Sequence, residues 1–422
     1  MSEHAEYVEK LGRDARAAAG KLASINGRQR DDALRAIARH LRASQPALLA
    51  ANAKDIEAAE ANGLAKAMVE RLRLNEKRIE TMAASVEAIA GQIDPVGRTI
   101  DAFNRPDGLR IEKRRVPIGV ILFFYESRPN VTSDAAALCL KSGNAVILRG
   151  GKEAIHSNRV VTEVIAKALE EAGLPPAAVQ IVAQTDRAIV PLLLKSDQYI
   201  DLAIPRGGES LIRAVVADAT MPVLKHFTGN CHIYLDSAID GLEQKAVDII
   251  VNAKTSYPGG GACNTVEHIL VHRDAAPKLL TKVCDALAGA GVEVRGDEAV
   301  KHAWPKAVPA TDADWGEEYL ALIAGIKVVD SIDEAIEHIN RYGSHHTDAI
   351  VSSSLVAIDA FTTRVDSASV MVNASTRLAD GGEYLLGAEI GISTDKLHAR
   401  GPMGAGDLTT YKWIVTGNGH LR

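Results

Sequence analysis

Cys263 lies in the segment NAKTSYPGGGACNTVEHILVH, after a helical pattern and before an apolar run that reads as a strand. Three glycines and an alanine precede it, so no bulky side chain crowds the thiol and the backbone can come close to another group. A free thiol with a pKa of about 8.5 is only a few per cent ionised at neutral pH. A nucleophilic cysteine therefore needs backbone N–H donors or a helix terminus to favour the thiolate. A glycine-rich loop can present such donors, and the chemistry suggested is that of a covalent nucleophile. The competing interpretation is the common one for a free cysteine, a small buried apolar residue. Cys139 in AAALCL, Cys231 at the start of a strand and Cys284 in LLTKVCDAL read that way.

Two further segments suit an anion. In IPRGGESL, Gly207 and Gly208 follow an expected strand and open a helix, where free N–H groups bind phosphate, and Arg206 adds a positive charge. A plain turn is the alternative there. In RGGK, Arg149 and Lys152 stand at the carboxyl end of the strand NAVILR, the end at which doubly wound sheets hold their ligands; a solvated turn competes equally. No metal site is expected. His345 and His346 are adjacent and would face opposite sides of a strand, while His226 and His232 are six apart, so surface or core roles are the default. H-E-x-x-H and G-x-S-x-G patterns are both missing.

The elements that must position these residues follow from periodicity. Residues 1–93 read as helices; in DDALRAIARHLRA, Leu34, Ile37, Ala38 and Leu41 fall on one face. Asn62-Gly63 marks a break and Asp94-Pro95 a stop. Residues 99–115 read as a hairpin turning at Pro106-Asp107-Gly108. From Val116 onward, short apolar runs (PIGVILFFYE, NAVILRGG, VQIVA, YIDLAIP, PVLKHF, CHIYLD) alternate with amphipathic helices, which predicts a doubly wound parallel sheet. A second α/β segment runs from about Leu242 to Val372, and TTYKWIVTG closes the chain as a strand. With 422 residues, 47% hydrophobic and 24% charged, the chain is long enough for two or three domains with a large core. A net charge of −6 with no basic half argues against a nucleic-acid or membrane-surface partner. Apolar runs of eighteen are absent, the N-terminus has no apolar signal core, and four scattered cysteines form no disulfide framework, so a reduced cytoplasmic location is expected.

Several segments together resemble the gamma-glutamyl phosphate reductases, or glutamate-5-semialdehyde dehydrogenases, of the aldehyde dehydrogenase superfamily. They are AKT before the cysteine loop, CNTVE around Cys263, SGNAVILRGGKEA, YESRPNVT, IPRGG, VNASTRLADGG and GAEIGISTDKLHARGPMG. The resemblance spans the chain from about residue 5 to 415. It implies an α/β fold of aldehyde-dehydrogenase type, with an NADP-binding domain (1–98, 116–238 and about 373–398) and a catalytic domain (239–372) carrying Cys263. Residues 99–115 and 403–422 would be oligomerisation strands pairing with another subunit, since exposed extended strands are an edge liability.

The implied reaction is NADPH-dependent reduction of L-glutamyl 5-phosphate to glutamate 5-semialdehyde and phosphate through a thioester on Cys263, in proline biosynthesis. The resemblance also implies roles for other residues. Asn130 would supply an oxyanion donor, a contact worth about 3 kcal/mol of barrier, and Glu318 would hold the nicotinamide ribose. Arg128, Arg377 and Arg400 are candidates for the substrate carboxylate. Where hydrolytic relatives carry a glutamate to activate water, this chain has Lys225 or His226 in PVLKHFTGN, which protects a thioester from hydrolysis. Lys152 stands where NAD-preferring relatives tend to be acidic, which favours NADP through its 2′-phosphate. The loop YPGGGA is about two residues longer and richer in glycine than the family pattern, which predicts a looser thiol. Alternative readings are an ordinary NAD(P)-dependent aldehyde dehydrogenase, or a non-catalytic scaffold binding glutamate 5-kinase, the enzyme that would supply the labile acyl phosphate.

Overall fold

A computed structural model describes residues 2–422. The chain divides into two compact units, one comprising the chain up to Lys225 with Leu385–Ile392 and Leu397–Arg422, the other His226–Tyr384 with Ser393–Lys396.

In the first unit, five helices (Glu3–Leu22, Gly27–Ala43, Gln45–Ala61, Lys66–Leu72 and Glu76–Ala90) precede the first strand. Gly27–Ala43 is opened by a reciprocal cap in which Gln29 N donates to Asn26 Oδ1 and Asn26 N to Gln29 Oε1. Its predicted stripe of Leu34, Ile37, Ala38 and Leu41 is fully buried, each large side chain contributing about 1.5–3 kcal/mol. Strands β1 (Thr99–Asn104) and β2 (Arg110–Pro117) form the expected hairpin, and Gly108 adopts the left-handed conformation its turn requires (φ +87°). The tail strand Thr409–Thr416 adds antiparallel to the other side of β2.

Strands β3 (Val120–Phe124), β4 (Ala145–Arg149), β5 (Val179–Ile181) and β6 (Leu202–Pro205) form a parallel sheet in the order β5-β4-β3-β6. The chain enters at the centre, winds out through β4 and β5, then returns to the far side of β3, which is the doubly wound pattern predicted. PVLKHF is not a strand; only Val223 forms an isolated bridge, to Ala203.

The second unit holds a seven-stranded parallel sheet in the order β10-β9-β11-β8-β7-β12-β13. Its strands are β7 (Cys231–Leu235), β8 (Val266–His272), β9 (Glu293–Gly296), β10 (Val308–Pro309), β11 (Ile323–Val329), β12 (Thr347–Val351) and β13 (Ser369–Val372). Here the domain boundaries expected from sequence need correction. The division falls at Lys225/His226 rather than at residue 238, and residues 373–384 belong with the second unit. β7 pairs in parallel with β8 and β12, so CHIYL sits inside the second sheet. Alternation of strands and helices announces strands but not which sheet each one joins. The hairpin and tail strand, expected as a separate element, are part of the first unit. No helix among the described residues is long and apolar enough to cross a membrane.

Three histidines are packed beneath the second sheet. His232 lies 5.2 Å from His268, tilted, and 5.6 Å from His338, edge to face (ring centroids), and Trp315 lies 5.9 Å and 5.6 Å from the latter two. Asp348 holds His232 by accepting its backbone N–H (2.8 Å) and pairing with Nδ1 (3.1 Å). Burial, then the neighbouring His232, drives His268 well below the ordinary histidine range and His338 down to about 3. Both are therefore neutral when folded, whereas an unfolded chain binds their protons below about pH 6.5. Stability from these two groups is complete above that pH and is lost as pH falls toward 3, with a slope of at most ~1.4 kcal/mol per pH unit for each histidine. Urea unfolding between pH 5 and 7.5 should show His338→Gln flattening the pH dependence relative to the native chain, a difference in which other titrating groups cancel. Parallel curves would show that His338 does not titrate this way.

Candidate active site

Cys263 stands in the turn that leads into β8, after the helix Glu243–Thr255 and a tight turn at Pro258–Gly260. It is the one partly exposed cysteine of the four; Cys139, Cys231 and Cys284 are buried. Burial raises the thiol pKa of all three, that of Cys284 to about 12, so none is a ready nucleophile.

The backbone of Cys263 is clamped. A Cβ at Gly229 would lie 1.9 Å from the Cys263 carbonyl oxygen and 2.6 Å from its Cα, so only glycine permits this approach. Gly229 N donates to Glu318 Oε1 (2.8 Å), and the Cys231 thiol donates to the Cys263 carbonyl (3.1 Å). The next residue, Asn264, is buried; its amide donates to the Ala379 carbonyl (3.0 Å), and its Oδ1 accepts from the Arg377 guanidinium. Arg377 in turn lies over the ring of Tyr257, 5.4 Å from its centre.

The glycine-rich loop is not slack, contrary to the sequence expectation. Gly259 and Gly260 take left-handed conformations (φ 75° and 69°), and a Cβ on Gly260 would meet the Ala321 carbonyl at 2.7 Å. Thr265 Oγ1 donates to the carbonyls of Ala262 (2.6 Å) and Gly260 (3.0 Å). The glycines serve tight packing, and the loop is pinned at both ends.

Below the loop, Lys254 Nζ and Glu267 Oε2 pair at 2.7 Å with neither side chain exposed. Burial is the larger influence on both, lowering the lysine's pKa and raising that of the glutamate. These residues come from AKT and CNTVE, so part of each motif is a buried ion pair joining the helix end to the start of β8.

Two imidazoles reach the thiol. The ligand atoms of His226, Cys263 and His346 all lie within 4.8 Å of one another, and the two rings meet edge to face at 5.4 Å. The sequence reading assigned these histidines to surface or core and expected no such cluster. The His345-His346 pair lies in the bend before β12, where His345 is exposed and His346 buried, and no periodicity in the sequence signals this.

In the first unit a cleft of about 570 Å³ opens at the carboxyl ends of β3, β4 and β6. Phe124, Val190 and Leu211 form apolar walls, and Arg149, Lys152 and Arg187 supply three cations. Arg149 is held in place by donating to the carbonyls of Gly150 (2.8 Å) and Thr185 (3.2 Å). A Cβ on Gly208 would meet nothing within 4 Å, so the N-terminus of helix Glu209–Asp218 is open to a ligand. Arg206 lies beside it, 3.8 Å from Glu389. Apolar walls, three cations and an open helix terminus fit a dinucleotide.

The model of the aldehyde dehydrogenase family matches residues 2–303. Over 98% of its length the chain is 53% identical to a gamma-glutamyl phosphate reductase of Rhodopirellula baltica, covering 94% of that protein. It is 50% identical to one of Moorella thermoacetica, with 98% of each covered. The chain belongs to the aldehyde dehydrogenase family. The crystal structure of gamma-glutamyl phosphate reductase from Thermotoga maritima superposes with a TM-score of 0.95 at 44% identity, over 98% of this chain and 99% of that one. An acetylating aldehyde dehydrogenase from Geobacillus thermoglucosidasius shares the fold at 17% identity (TM-score 0.70, 100% and 98% covered).

Membership of the aldehyde dehydrogenase family makes the chain an oxidoreductase with a nicotinamide cofactor, and the first-unit cleft has the make-up to hold it. Of the residues the family pattern singled out, Glu318 and Arg377 both lie in the second unit and both touch the cysteine region, the first through Gly229 and the second through Asn264. Arg377 is thus the carboxylate-binding candidate brought next to Cys263. Arg128 and Arg400 lie in the first unit, Arg128 at the residue preceding the helix Pro129–Lys141. Asn130 is exposed in that helix's first turn, and its Nδ2 donates to Asp134 Oδ2 (3.0 Å).

Proposed function

We propose that this chain reduces L-glutamyl 5-phosphate to L-glutamate 5-semialdehyde, releasing phosphate and drawing on NADPH, as a step of proline biosynthesis. The observation that carries the proposal is similarity of 50–53% identity across nearly the whole chain to proteins bearing the name gamma-glutamyl phosphate reductase. The partly exposed thiol on a clamped backbone supports the covalent route.

In that route Cys263 Sγ attacks the acyl carbon, the bond from that carbon to the phosphate oxygen breaks, and inorganic phosphate leaves a thioester behind. Arg149, Lys152 and Arg187 of the first unit's cleft would hold a nicotinamide dinucleotide, which would supply hydride chemistry. The chain's own residues supply the rest. His226 and His346 lie close enough to the thiol to receive its proton through one water molecule. The two nearby carboxylates are engaged, Glu318 with Gly229 N and Glu267 with Lys254, which favours acyl transfer to phosphate over hydrolysis. Arg377, beside the cysteine loop, offers a guanidinium for the substrate's carboxylate.

Incubation with a glutamyl acyl phosphate in the absence of nucleotide should leave a glutamyl adduct on the peptide containing Cys263, seen by intact and peptide mass. In the reverse direction, oxidation of the semialdehyde with NADP should require inorganic phosphate. Phosphate-independent release of free glutamate would instead identify an ordinary aldehyde dehydrogenase, and undiminished turnover by Cys263→Ser would remove the covalent step.

The preference for NADPH rests on Arg149, Lys152 and Arg187 around the cleft, which offset the carboxylates of Glu153 and Asp218 in the same lining. Lys152→Glu should raise the KM for NADPH about tenfold or more while moving that for NADH by less than about twofold, since a single close charge pair is worth roughly 1 kcal/mol or more. Equal effects on both nucleotides would count against a 2′-phosphate contact.

The three-stranded sheet supports assembly into at least a dimer. All six residues of β1 are exposed, and Phe103, Trp413 and Val415 show 48%, 53% and 57% of their surfaces. Its outer strands, β1 and Thr409–Thr416, each leave an edge open to pairing. Light scattering should give a mass above the chain's 44.9 kDa, falling toward it in Trp413→Glu; a monomer at every concentration would refute the assembly.

A further inference from the structure

The grouping of His226, Cys263 and His346 has a second chemical meaning. One thiol and two imidazoles, each offering a ligand atom within 4.8 Å of the others, are the donor set preferred by zinc and other borderline metals over magnesium or calcium, which select oxygen. We propose that these three residues form a zinc site whose occupancy withdraws the thiol from chemistry.

The geometry is close to what the ion needs. With Zn–N near 2.0–2.1 Å and Zn–S near 2.3 Å, ligand atoms of a tetrahedral site stand about 3.3–3.6 Å apart. Side-chain rotation of about 1 Å therefore closes the cluster. His346 Nδ1 lies 2.9 Å from Thr347 Oγ1, a second contact of the kind that fixes metal-binding imidazoles in orientation. The partial exposure of His226 and Cys263 gives the ion an entry path, and water completes the fourth position. Binding converts the Cys263 thiol to a zinc-bound thiolate, with its proton released to solvent, so affinity rises with pH. No redox change is involved, and a chelator reverses it.

The ligand set is independent of the reaction assigned above. Only the effect on turnover rests on Cys263 being the nucleophile, and the two parts are read separately. Titration of the full-length chain with zinc chloride against a chromophoric chelator should give one equivalent per chain. Cobalt(II) in its place should show the near-ultraviolet band of a thiolate ligand together with tetrahedral d–d bands. Cys263→Ser should abolish the thiolate band, His226→Ala should weaken zinc binding by at least ~100-fold, and Cys231→Ala, whose thiol is directed to the Cys263 carbonyl and lies 3.9 Å from His346 Nδ1, should leave the band in place. A cobalt spectrum without a thiolate band, or one abolished by Cys231→Ala but not by Cys263→Ser, overturns the site. Zinc should also block alkylation of Cys263 and stop turnover, both restored by EDTA. Intact binding with unimpaired turnover would overturn the withdrawal of the thiol and, with it, the role of Cys263 as nucleophile.

Discussion

The contact between Gly229 and the Cys263 backbone constrains the second unit's site more than any other. An added methyl group at Gly229 would overlap the Cys263 carbonyl, so two segments from different parts of the chain are locked at a separation that only hydrogen in place of a side chain allows. That lock is supported from below. Lys254 and Glu267 pair with no exposure to solvent, on either side of the loop that carries the cysteine. Burial works against both charges, as the direction of their pKa values shows. Such a pair adds little net stability compared with apolar residues, yet removal of one partner leaves an uncompensated buried charge at a cost of about 3–5 kcal/mol. Its value lies in geometry. The pair defines where the helix Glu243–Thr255 stops and where β8 begins, and a thiol that must meet a carbon atom gains from both being fixed.

The loop between those anchors shows how composition misleads. YPGGGA reads as flexible because glycine lacks a side chain. In the folded chain Gly259 and Gly260 occupy left-handed conformations, and Gly260 is pressed against the Ala321 carbonyl. The same absence of a side chain that broadens the unfolded ensemble permits dense packing in the folded one. Gly150 in the RGG turn behaves likewise, since a Cβ there would strike Asn158 Nδ2 at 2.4 Å. At Gly150 and Gly260 the glycine marks close approach.

Local pattern carried most of the fold. The amphipathic stripe of Gly27–Ala43, the hairpin turn at Gly108 and the alternation of strands with helices all express interactions between near neighbours in sequence, and all are readable without coordinates. What could not be read depends on distant pairing. Whether CHIYL joins the first or the second sheet is decided by its neighbours β8 and β12, and nothing within those five residues states the choice. The site divides in the same way. Cys263 announces itself by its surroundings in sequence, whereas the partners of Lys254, Asn264 and His346 come from separate elements. His346 was discounted because an adjacent histidine pair on a strand points to opposite faces; in the folded chain the pair lies in the bend before β12, with His345 in a left-handed conformation (φ 60°) and His346 buried.

The choice of imidazole over carboxylate near the thiol has consequences in two directions. A carboxylate that activated water would hydrolyse a thioester, and here the two carboxylates near the cysteine loop are bound to Gly229 N and Lys254 Nζ. An imidazole can accept a proton from a thiol without carrying a fixed negative charge that would repel a substrate bearing both phosphate and carboxylate. The electrostatics therefore suit an anionic acyl donor. The same nitrogens, held beside sulfur, are good ligands for a borderline dication such as zinc. The side chains placed to take the thiol's proton are also the ligands of the proposed metal site, so moving one of the three alters both.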